Sequence, residues 1–432
     1  MDLAAKRAEI NLVLSEPDVD LWKLRELCLT EGGLCDDTLR KRAWPKLVGL
    51  HGSDSLETPE SSSLRRSGRS RIPRPDPPSR DLSNSNSTHP LDDTDKTDSQ
   101  PRPSKSDRLV ECLDADQIGR DVTRASWHLL NGSQRSRRLQ MENKHRKKVA
   151  NLLRRKQIRL ENFINLTLVQ SNFDLQEEDQ LRYYQGFHDV ACIFLSALGG
   201  GGSGPIPPNA SSLQTLAASM GLDLPSKVLG QVAKSHFRDA MRSNFIQLQV
   251  ALRLILFPLL ARFDPEVHAH LYYCDMEPFF ALPWVITWFS HDIRDTALVK
   301  RLFDAFIVSH PLFPLYLSAA MILHPINRRE ILDTDCDFAS VHQTLAGLPK
   351  NSSMVGWKFK VTDGYMTNDG EEEGSTATTE MDSTFLADEL LDLMDDDGSD
   401  AQSMISSNLS FVGSSQDRVP FQELIDTALS YM

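Results

Sequence analysis

Cysteine is scarce in this chain of 432 residues, and no two of its six cysteines form a C-x-x-C pair. Structural zinc sites and small disulfide-bonded domains usually show cysteines at such short spacings. We therefore expect neither a disulfide framework nor a zinc site, and a reducing compartment fits this composition. The cysteines are Cys28, Cys35, Cys112, Cys192, Cys274 and Cys336.

The chain also lacks a secretory apolar core near its N-terminus and a clean apolar run long enough to cross a membrane. The nearest candidate, residues 305–323, is interrupted by Pro311 and Pro314, and this predicts two buried helices instead. No hydrophobic helix precedes the C-terminal Met432. We therefore expect a cytoplasmic protein without a constitutive membrane anchor.

Motifs of several enzyme classes are missing. The sequence contains no G-x-x-x-x-G-K-[ST], no H-E-x-x-H and no G-x-S-x-G, so it predicts no P-loop, zincin or hydrolase site of its own. Residues 333–337 have the carboxylate spacing of a calcium loop. However, Phe338 replaces the required glycine and Thr344 replaces the bidentate glutamate, so a capped helix start is the better interpretation.

The net charge of −13 comes from one segment. Residues 351–417 contain fifteen Asp and Glu against two Lys, a balance of −13, so the rest of the chain is close to neutral. The acidic balance is a property of this segment and says little about the folded part.

Composition divides the chain into five parts. Residues 1–50 are predicted to be helical, whereas residues 51–108 have few large apolar side chains to offset the entropy of ordering and are predicted to be a disordered insertion. Residues 109–350 are predicted to form one helical core, 351–418 an acidic disordered linker, and 419–432 a helix that docks on the core.

Apolar residues in the central part recur at steps of three and four, and no long stretch alternates as a strand would. One such series is Phe245, Leu248, Leu252, Ile255 and Leu259. The predicted fold class is therefore all-α, with long disordered insertions.

Three motifs stand out in the helical parts. Residues 182–190 read Arg-Tyr-Tyr-Gln-Gly-Phe-His-Asp-Val, and residues 118–124 follow the pattern I-x-x-D-x-x-R. Residues 39–47 read Leu-Arg-Lys-Arg-Ala-Trp-Pro-Lys-Leu. Each string alone is weak evidence of function. All three together, in this order along the chain, are a much more specific signal.

Arg124 and Gln185 are side chains of the two kinds that could assist the transfer of a phosphoryl group to water. A planar guanidinium can neutralise charge that develops on the phosphate, and an amide can orient the attacking water because it both accepts and donates hydrogen bonds. Without the other motifs, the simpler interpretation of Arg124 is a surface arginine or an ion-pair partner of Asp121. The simpler interpretation of Gln185 is a polar residue that binds loop backbone.

Four neighbouring residues are predicted to support this pair. Asp121 precedes Arg124 by three residues, so it shares a helical face and is expected to orient the arginine or bind nearby backbone. Gly186 is expected to allow an unusual φ or a close backbone approach. We expect Asp189 to cap or brace the loop and Tyr184 to pack beneath it.

Together the three motifs resemble the TBC domain, a helical module that activates Rab GTPases, over residues 20–50 and 109–350. The resemblance implies that Arg124 and Gln185 are the arginine and glutamine fingers. It also implies that Arg40 and Trp44 brace the structure. The protein would then be a GTPase activator without an active site or cofactor of its own, since the partner, a Rab in its GTP form, carries the GTP and Mg²⁺.

Residues 277–289, 310–316 and 333–342 are similar to one subgroup of that family. The resemblance implies a role in ER-to-Golgi transport and a peripheral location on ER or Golgi membranes. The alternative is a non-catalytic TBC scaffold or adaptor that binds Rabs or membranes. Intact Arg124 and Gln185 argue against this alternative.

Residues 135–159 contain eleven Lys and Arg against one acidic residue, Glu142. A solvated helix face is the plain interpretation, and contact with an anionic membrane surface is the functional alternative. No aromatic residues are interleaved as nucleic-acid binding would favour, so no nucleic-acid partner is predicted.

Overall fold

The computed structural model describes residues 2–50, 112–125, 143–199, 212–242, 244–353 and 419–432. The predicted insertion at 51–108 and nearly all of the predicted acidic linker at 351–418 lie outside these ranges. Within them the fold is all-α, as predicted, except for one pair of two-residue strands.

The N-terminal part forms three helices: α1 (Leu3–Ser15), α2 (Leu21–Leu29) and α3 (Asp37–Leu47). Gly32 and Gly33 both have positive φ and interrupt the helical structure between α2 and α3. The Asp36 carboxylate then accepts a hydrogen bond from the Leu39 backbone N–H and caps α3. The structure thus has three helices within residues 1–50, the range for which the sequence predicted helical structure.

The middle of the chain supplies five helices, described with the gaps given above. They are α4 (Ala115–Arg124), α5 (Asn143–Asn172), α6 (Phe187–Leu198), α7 (Ser212–Ser219) and α8 (Asp223–Ser235). A short 3₁₀ turn, Glu177–Asp179, lies between α5 and α6. Helix α5 packs against α4, α6 and α8, so this long helix joins the parts of the region.

The later helices are α9 (Ile246–Ala251), α10 (Phe257–Phe263), α11 (Pro265–Tyr273), α12 (Leu282–Thr287), α13 (Thr296–Val308), α14 (Phe313–Leu323), α15 (Pro325–Asp333), α16 (Phe338–Gly347) and α17 (Phe421–Tyr431). A π-helical segment, Leu252–Leu256, joins α9 to α10. Short 3₁₀ turns occupy Pro278–Ala281 and Leu348–Asn351.

The core lies around α6, α13 and α14, which are largely buried. Aromatic rings fill the space between them and α3: Trp44 contacts Phe194 edge-on with centroids 5.2 Å apart, and Phe303 contacts Trp288 at 5.1 Å. Burial of α13 and α14 confirms that residues 305–323 are two core helices. Aromatic pairs of this geometry add to the free energy gained from buried area.

One helical stretch, Ile246–Phe263, is long and apolar enough to cross a membrane by length and composition alone. Sequence inspection overlooked this stretch when it found no clean membrane span. In the folded chain Leu252, Leu256 and Leu260 are fully buried in the core, whereas Ile246 and Leu254 are exposed. The stretch therefore forms one surface of the helical domain.

The prediction from the cysteines needs a correction, because the structure joins Cys274 and Cys336 in a disulfide. The two residues are 62 positions apart, and their Cα atoms are 5.3 Å apart. Spacing along the chain could not reveal this pair, since the packing of α11 against α15 brings it together. Asp337 caps α16 through the Ser340 N–H, so residues 333–337 are a capped helix start, as predicted.

Helix α17 packs along α14 and buries its apolar face, which consists of Phe421, Leu424, Ile425 and Ala428. The strand pair precedes it: β1 (Ser352–Ser353) runs parallel to β2 (Val419–Pro420). Arg301, buried in α13, donates to the Gln422 side-chain oxygen at 2.8 Å and to backbone carbonyls of α2. The C-terminal helix is thus tied to the N-terminal region through a core arginine.

Candidate functional site

Arg124 is the last residue of α4, and its side chain is 69% exposed. The guanidinium forms an ion pair with one carboxylate oxygen of Asp121, a residue that is almost fully buried. The backbone on both sides of Arg124 is also held, because the Gln157 side chain of α5 donates to Thr123 O at 2.8 Å and Ala125 O at 3.1 Å. The base of Arg124 is therefore fixed while its charged end faces solvent.

Gln185 lies in the loop that precedes α6, and its side chain is exposed. In the described part of the chain this side chain has no hydrogen-bond partner, so it is not used to bind loop backbone as the simpler interpretation supposed. The amide is free to bind a group from another molecule.

The backbone around Gln185 is held from below. Gly186 has φ +112°, a value that favours glycine, and a Cβ at this position would lie 3.0 Å from Thr287 Cγ2 of α12. The buried Tyr184 hydroxyl donates to Ile286 O of α12 at 2.6 Å, and its ring contacts Phe245 edge-on. Gly186 thus has both an unusual φ and a close neighbour, and Tyr184 packs beneath the loop.

Helix α4 and the loop are joined at two points. At the start of α4, the Asp114 carboxylate accepts hydrogen bonds from the Arg182 guanidinium at 2.7 and 3.1 Å and from the Tyr183 N–H at 2.9 Å. Near the end of α4, the second oxygen of Asp121 accepts from the Tyr183 hydroxyl at 3.2 Å. The segment that bears Arg124 is therefore linked to the segment that bears Gln185.

Burial and the Asp121 carboxylate raise the pKa of Tyr183, so the hydroxyl remains a donor at neutral pH. The same hydroxyl lies 2.9 Å from His188 Nδ1. Burial lowers the pKa of His188, and this favours the neutral ring. Both shifts favour the uncharged forms of Tyr183 and His188.

Asp189 lies in the first turn of α6 and is buried, and its carboxylate is 2.9 Å from His291 Nδ1. The hydrogen bond to Asp189 raises the pKa of His291. His291 follows α12, so Asp189 ties α6 to the segment beneath the loop. Asp189 does not cap α6 through its side chain.

Arg40 and Trp44 lie in the core, where both bind the fully buried Asp304 of α13. Arg40 Nε and Nη2 donate to the two carboxylate oxygens at 3.0 and 2.9 Å, and Trp44 Nε1 donates at 2.9 Å. The Leu34 N–H is the fourth donor, at 3.0 Å. These contacts hold α3 on α13.

Sequence reasoning found both exposed side chains and their immediate supports but missed Gln157, Tyr183 and Asp304. Each of these acts through a contact with a residue far away in sequence. Tyr183 lies within the motif at residues 182–190, but the motif does not show which residue its hydroxyl binds. The helical pattern places Gln157 on α5. It does not show that the Gln157 side chain binds the backbone at the end of α4.

Chemically, the arrangement offers one cation and one amide that can enter another molecule's site. The cluster of potential metal ligands found among the described residues is His270, Cys274 and Cys336, and these residues are not part of the arrangement. Nothing in the described contacts of Arg124 or Gln185 positions a metal ion or a cofactor.

The family model of the Rab-GTPase-TBC domain matches residues 37–332. TBC1 domain family member 20 from Homo sapiens is 27% identical over 354 residues, which are 81% of this chain and 65% of the human protein. The mouse protein of that name is 28% identical with the same coverage. The chain thus spans less than two thirds of the length of these relatives.

The GTPase-activating protein gyp10 from Schizosaccharomyces pombe is 35% identical over 173 residues, covering 39% of this chain and 40% of the yeast protein. Among solved structures, the Ypt/Rab-GAP domain of Gyp1p matches with a TM-score of 0.49 and 12% identity, over 81% of this chain and 93% of that domain.

Proposed function

This chain belongs to the Rab-GTPase-TBC domain family, and from that premise we propose that it accelerates GTP hydrolysis by a Rab-family small GTPase. Arg124 and Gln185 enter the partner's nucleotide site and complete it. The partner, in its GTP form, brings the nucleotide and Mg²⁺, so the chain acts as an activator and needs no cofactor of its own. The TBC1 domain relatives and the GTPase-activating protein gyp10 support this proposal.

The observation that carries the proposal is the combination of exposure and restraint at Arg124 and Gln185. Both side chains reach solvent, yet their backbones are fixed by Gln157, Tyr183 and α12. A group that stabilises a transition state works best when it needs no reorganisation as charge develops. Side chains with only a surface role would have no need for such support.

Each residue type suits its proposed role. The planar Arg124 guanidinium can bind two phosphate oxygens at once. The Gln185 amide accepts a hydrogen bond from the attacking water and donates another to phosphate, which places the water for in-line attack. Asp121 and Tyr183 are positioning residues, because they hold the arginine and the loop in one arrangement.

We place the proposed action in early secretory traffic, at the cytoplasmic face of ER or Golgi membranes. The support is the resemblance of residues 277–289, 310–316 and 333–342 to one subgroup. Contact with an anionic membrane through residues 135–159 belongs to the same proposal, although residues 135–142 lie outside the described ranges. Lys156 is buried, so within α5 exposed residues such as Arg154 and Arg155 would make this contact.

The proposal is tested by measuring phosphate release from a panel of purified Rabs loaded with GTP, each with and without this protein. We expect stimulation of about 10³-fold or more for one Rab or a small group. If the protein binds a Rab but leaves its hydrolysis rate unchanged across the whole panel, the chain is a scaffold or adaptor instead.

Replacing Gln185 with alanine is expected to reduce the stimulated rate by about 10²-fold or more, because the attacking water loses the group that positions it. The protein should remain folded and should still bind the Rab, since the side chain is exposed and has no partner among the described residues. Single-turnover phosphate release and a binding assay would separate these effects.

Gln176→Ala is the matched control, because Gln176 is an exposed glutamine just before the Glu177–Asp179 turn and makes no side-chain cap bond. It should behave like the wild type. A second test uses a Rab whose own catalytic glutamine is replaced by alanine, which should still respond if Gln185 supplies the amide. A Gln185→Ala variant with full stimulation would refute the assignment.

A further inference from the structure

Helix α11 ends beside a loop that contains an exposed cysteine. His270 and Cys274 are four residues apart, so they occupy one face at the end of α11, while Cys336 lies between α15 and α16. Cys274 is buried and Cys336 is exposed, and their sulfur atoms are bonded to each other. The imidazole of His270 completes a cluster of three side chains.

The three side chains are close enough to bind one metal ion together once the disulfide is reduced. An imidazole nitrogen of His270 and the two sulfur atoms lie within 4.8 Å of one another. A tetrahedral zinc ion has bonds of about 2.3 Å to sulfur and 2.0–2.1 Å to nitrogen, so its ligand atoms are about 3.5–4 Å apart. Once the sulfurs are no longer bonded, small side-chain rotations would bring all three atoms to these separations.

His270 also carries an unsatisfied polar atom. Its Nε2 is buried and has no hydrogen-bond partner in the part of the chain that the structure describes. Buried polar atoms without a partner are rare and costly, and an unseen ion is one of the explanations that they call for.

We propose that His270, Cys274 and Cys336 bind one Zn²⁺ ion when the disulfide is reduced, with a water molecule as the fourth ligand. Thiolate and imidazole ligands together favour zinc over the hard cations Mg²⁺ and Ca²⁺, which prefer oxygen. A dithiol first reduces the disulfide to two thiols and becomes a disulfide itself. Zinc then displaces the two thiol protons, which are released to solvent.

Both the disulfide and the zinc complex would link α11 to the loop before α16. Conversion of one into the other would therefore preserve this link. The chain continues from Cys274 through residues 275–281 into α12, where Ile286 O and Thr287 support the Gln185 loop. A crosslink at Cys274 therefore fixes the start of the segment that ends beneath this loop. The exposed position of Cys336 gives both a reductant and the ion access.

The test measures zinc bound to the full chain, and GTP hydrolysis is not part of the readout. The protein is reduced with a dithiol under inert gas, freed of reductant, equilibrated with ZnCl₂ and dialysed, and zinc is counted by elemental mass spectrometry. We expect about one ion per chain for the reduced wild type and almost none for the oxidised protein.

His270→Ala, Cys274→Ser and Cys336→Ser should each lose most of the bound zinc. The matched controls are Cys35→Ser and Cys112→Ser, which remove half-buried free cysteines and should retain it. Reduced wild type that binds no zinc, or a Cys274→Ser/Cys336→Ser double variant that retains it, would overturn the proposal.

Cobalt provides a second measurement that needs no variant. Co²⁺ added to the reduced wild type should give a sulfur-to-metal charge-transfer band and the intense visible bands of a tetrahedral ion, and equimolar Zn²⁺ should remove both. A spectrum with only the weak bands of octahedral cobalt would contradict a site with two thiolate ligands.

Discussion

Arg124→Ala should reduce stimulated GTP hydrolysis by about 10³-fold or more, the effect of an arginine supplied in trans in other GTPase systems. The variant loses the charge that would balance the developing negative charge on the phosphate. The fold should remain intact, because the Arg124 side chain is 69% exposed and Asp121 keeps its hydrogen bond from Tyr183. Single-turnover phosphate release measures the loss, and circular dichroism checks the helices.

Two further variants separate charge from geometry. Arg124→Lys keeps the charge but loses the planar fork that binds two oxygens, so we expect an intermediate rate. Arg120→Ala removes the same charge from an exposed position one turn earlier on α4 and should have a small effect. Wild-type stimulation by Arg124→Ala would show that Arg124 is not the residue that completes the site.

The motif residues could be found from sequence because their chemistry is local. The I-x-x-D-x-x-R pattern places Asp121 and Arg124 on one helical face, and the structure shows that they are ion-paired. The glycine after Gln185 indicated an unusual backbone, and Gly186 has φ +112°. In both cases the prediction depends on residues that lie within four positions of each other, so a short segment of sequence is enough to make it.

The supports of the site could not be found in this way. Gln157 caps the end of α4 from 32 residues away, and Tyr183 reaches Asp121 across 62 residues. Apolar periodicity shows which face of a helix is buried but does not name the helix that covers it. The same reason explains why Cys274 and Cys336, 62 residues apart, were not predicted to meet.

Helix boundaries show a second limit. The steps of three and four from Phe245 to Leu259 predicted a core-facing helix, and the structure has Leu252, Leu256 and Leu260 fully buried there. The five-residue π-helical segment between α9 and α10 shifts the helical phase, so the buried series differs from the one that regular spacing predicts. The spacing of apolar residues in the sequence does not show where a π-helical segment interrupts an α-helix.

Asp304→Ala is expected to cost about 3–5 kcal/mol of folding free energy, the largest stability effect that we predict. The carboxylate is fully buried and accepts hydrogen bonds from Arg40, Trp44 and Leu34. Its removal leaves a buried guanidinium without its main counter-charge and two N–H donors without an acceptor. Arg40 keeps only Asp37, at 3.0 Å. Denaturant unfolding followed by circular dichroism gives the difference.

A control on the same helix distinguishes this network from the general loss of an aspartate. Asp295 caps α13 by accepting from the N–H groups of Ala297 and Leu298, and it is exposed. Asp295→Ala should therefore cost about 1 kcal/mol, the usual effect of a lost N-cap. Domains are stable by only about 5–15 kcal/mol, so Asp304→Ala would use much of that margin. If Asp304→Ala and Asp295→Ala lost the same folding free energy, the buried hydrogen bonds of Asp304 would stabilise the fold little more than an exposed helix cap does. The hydrogen bonds that join α3 to α13 would then have to be explained by specificity of packing, not by stability.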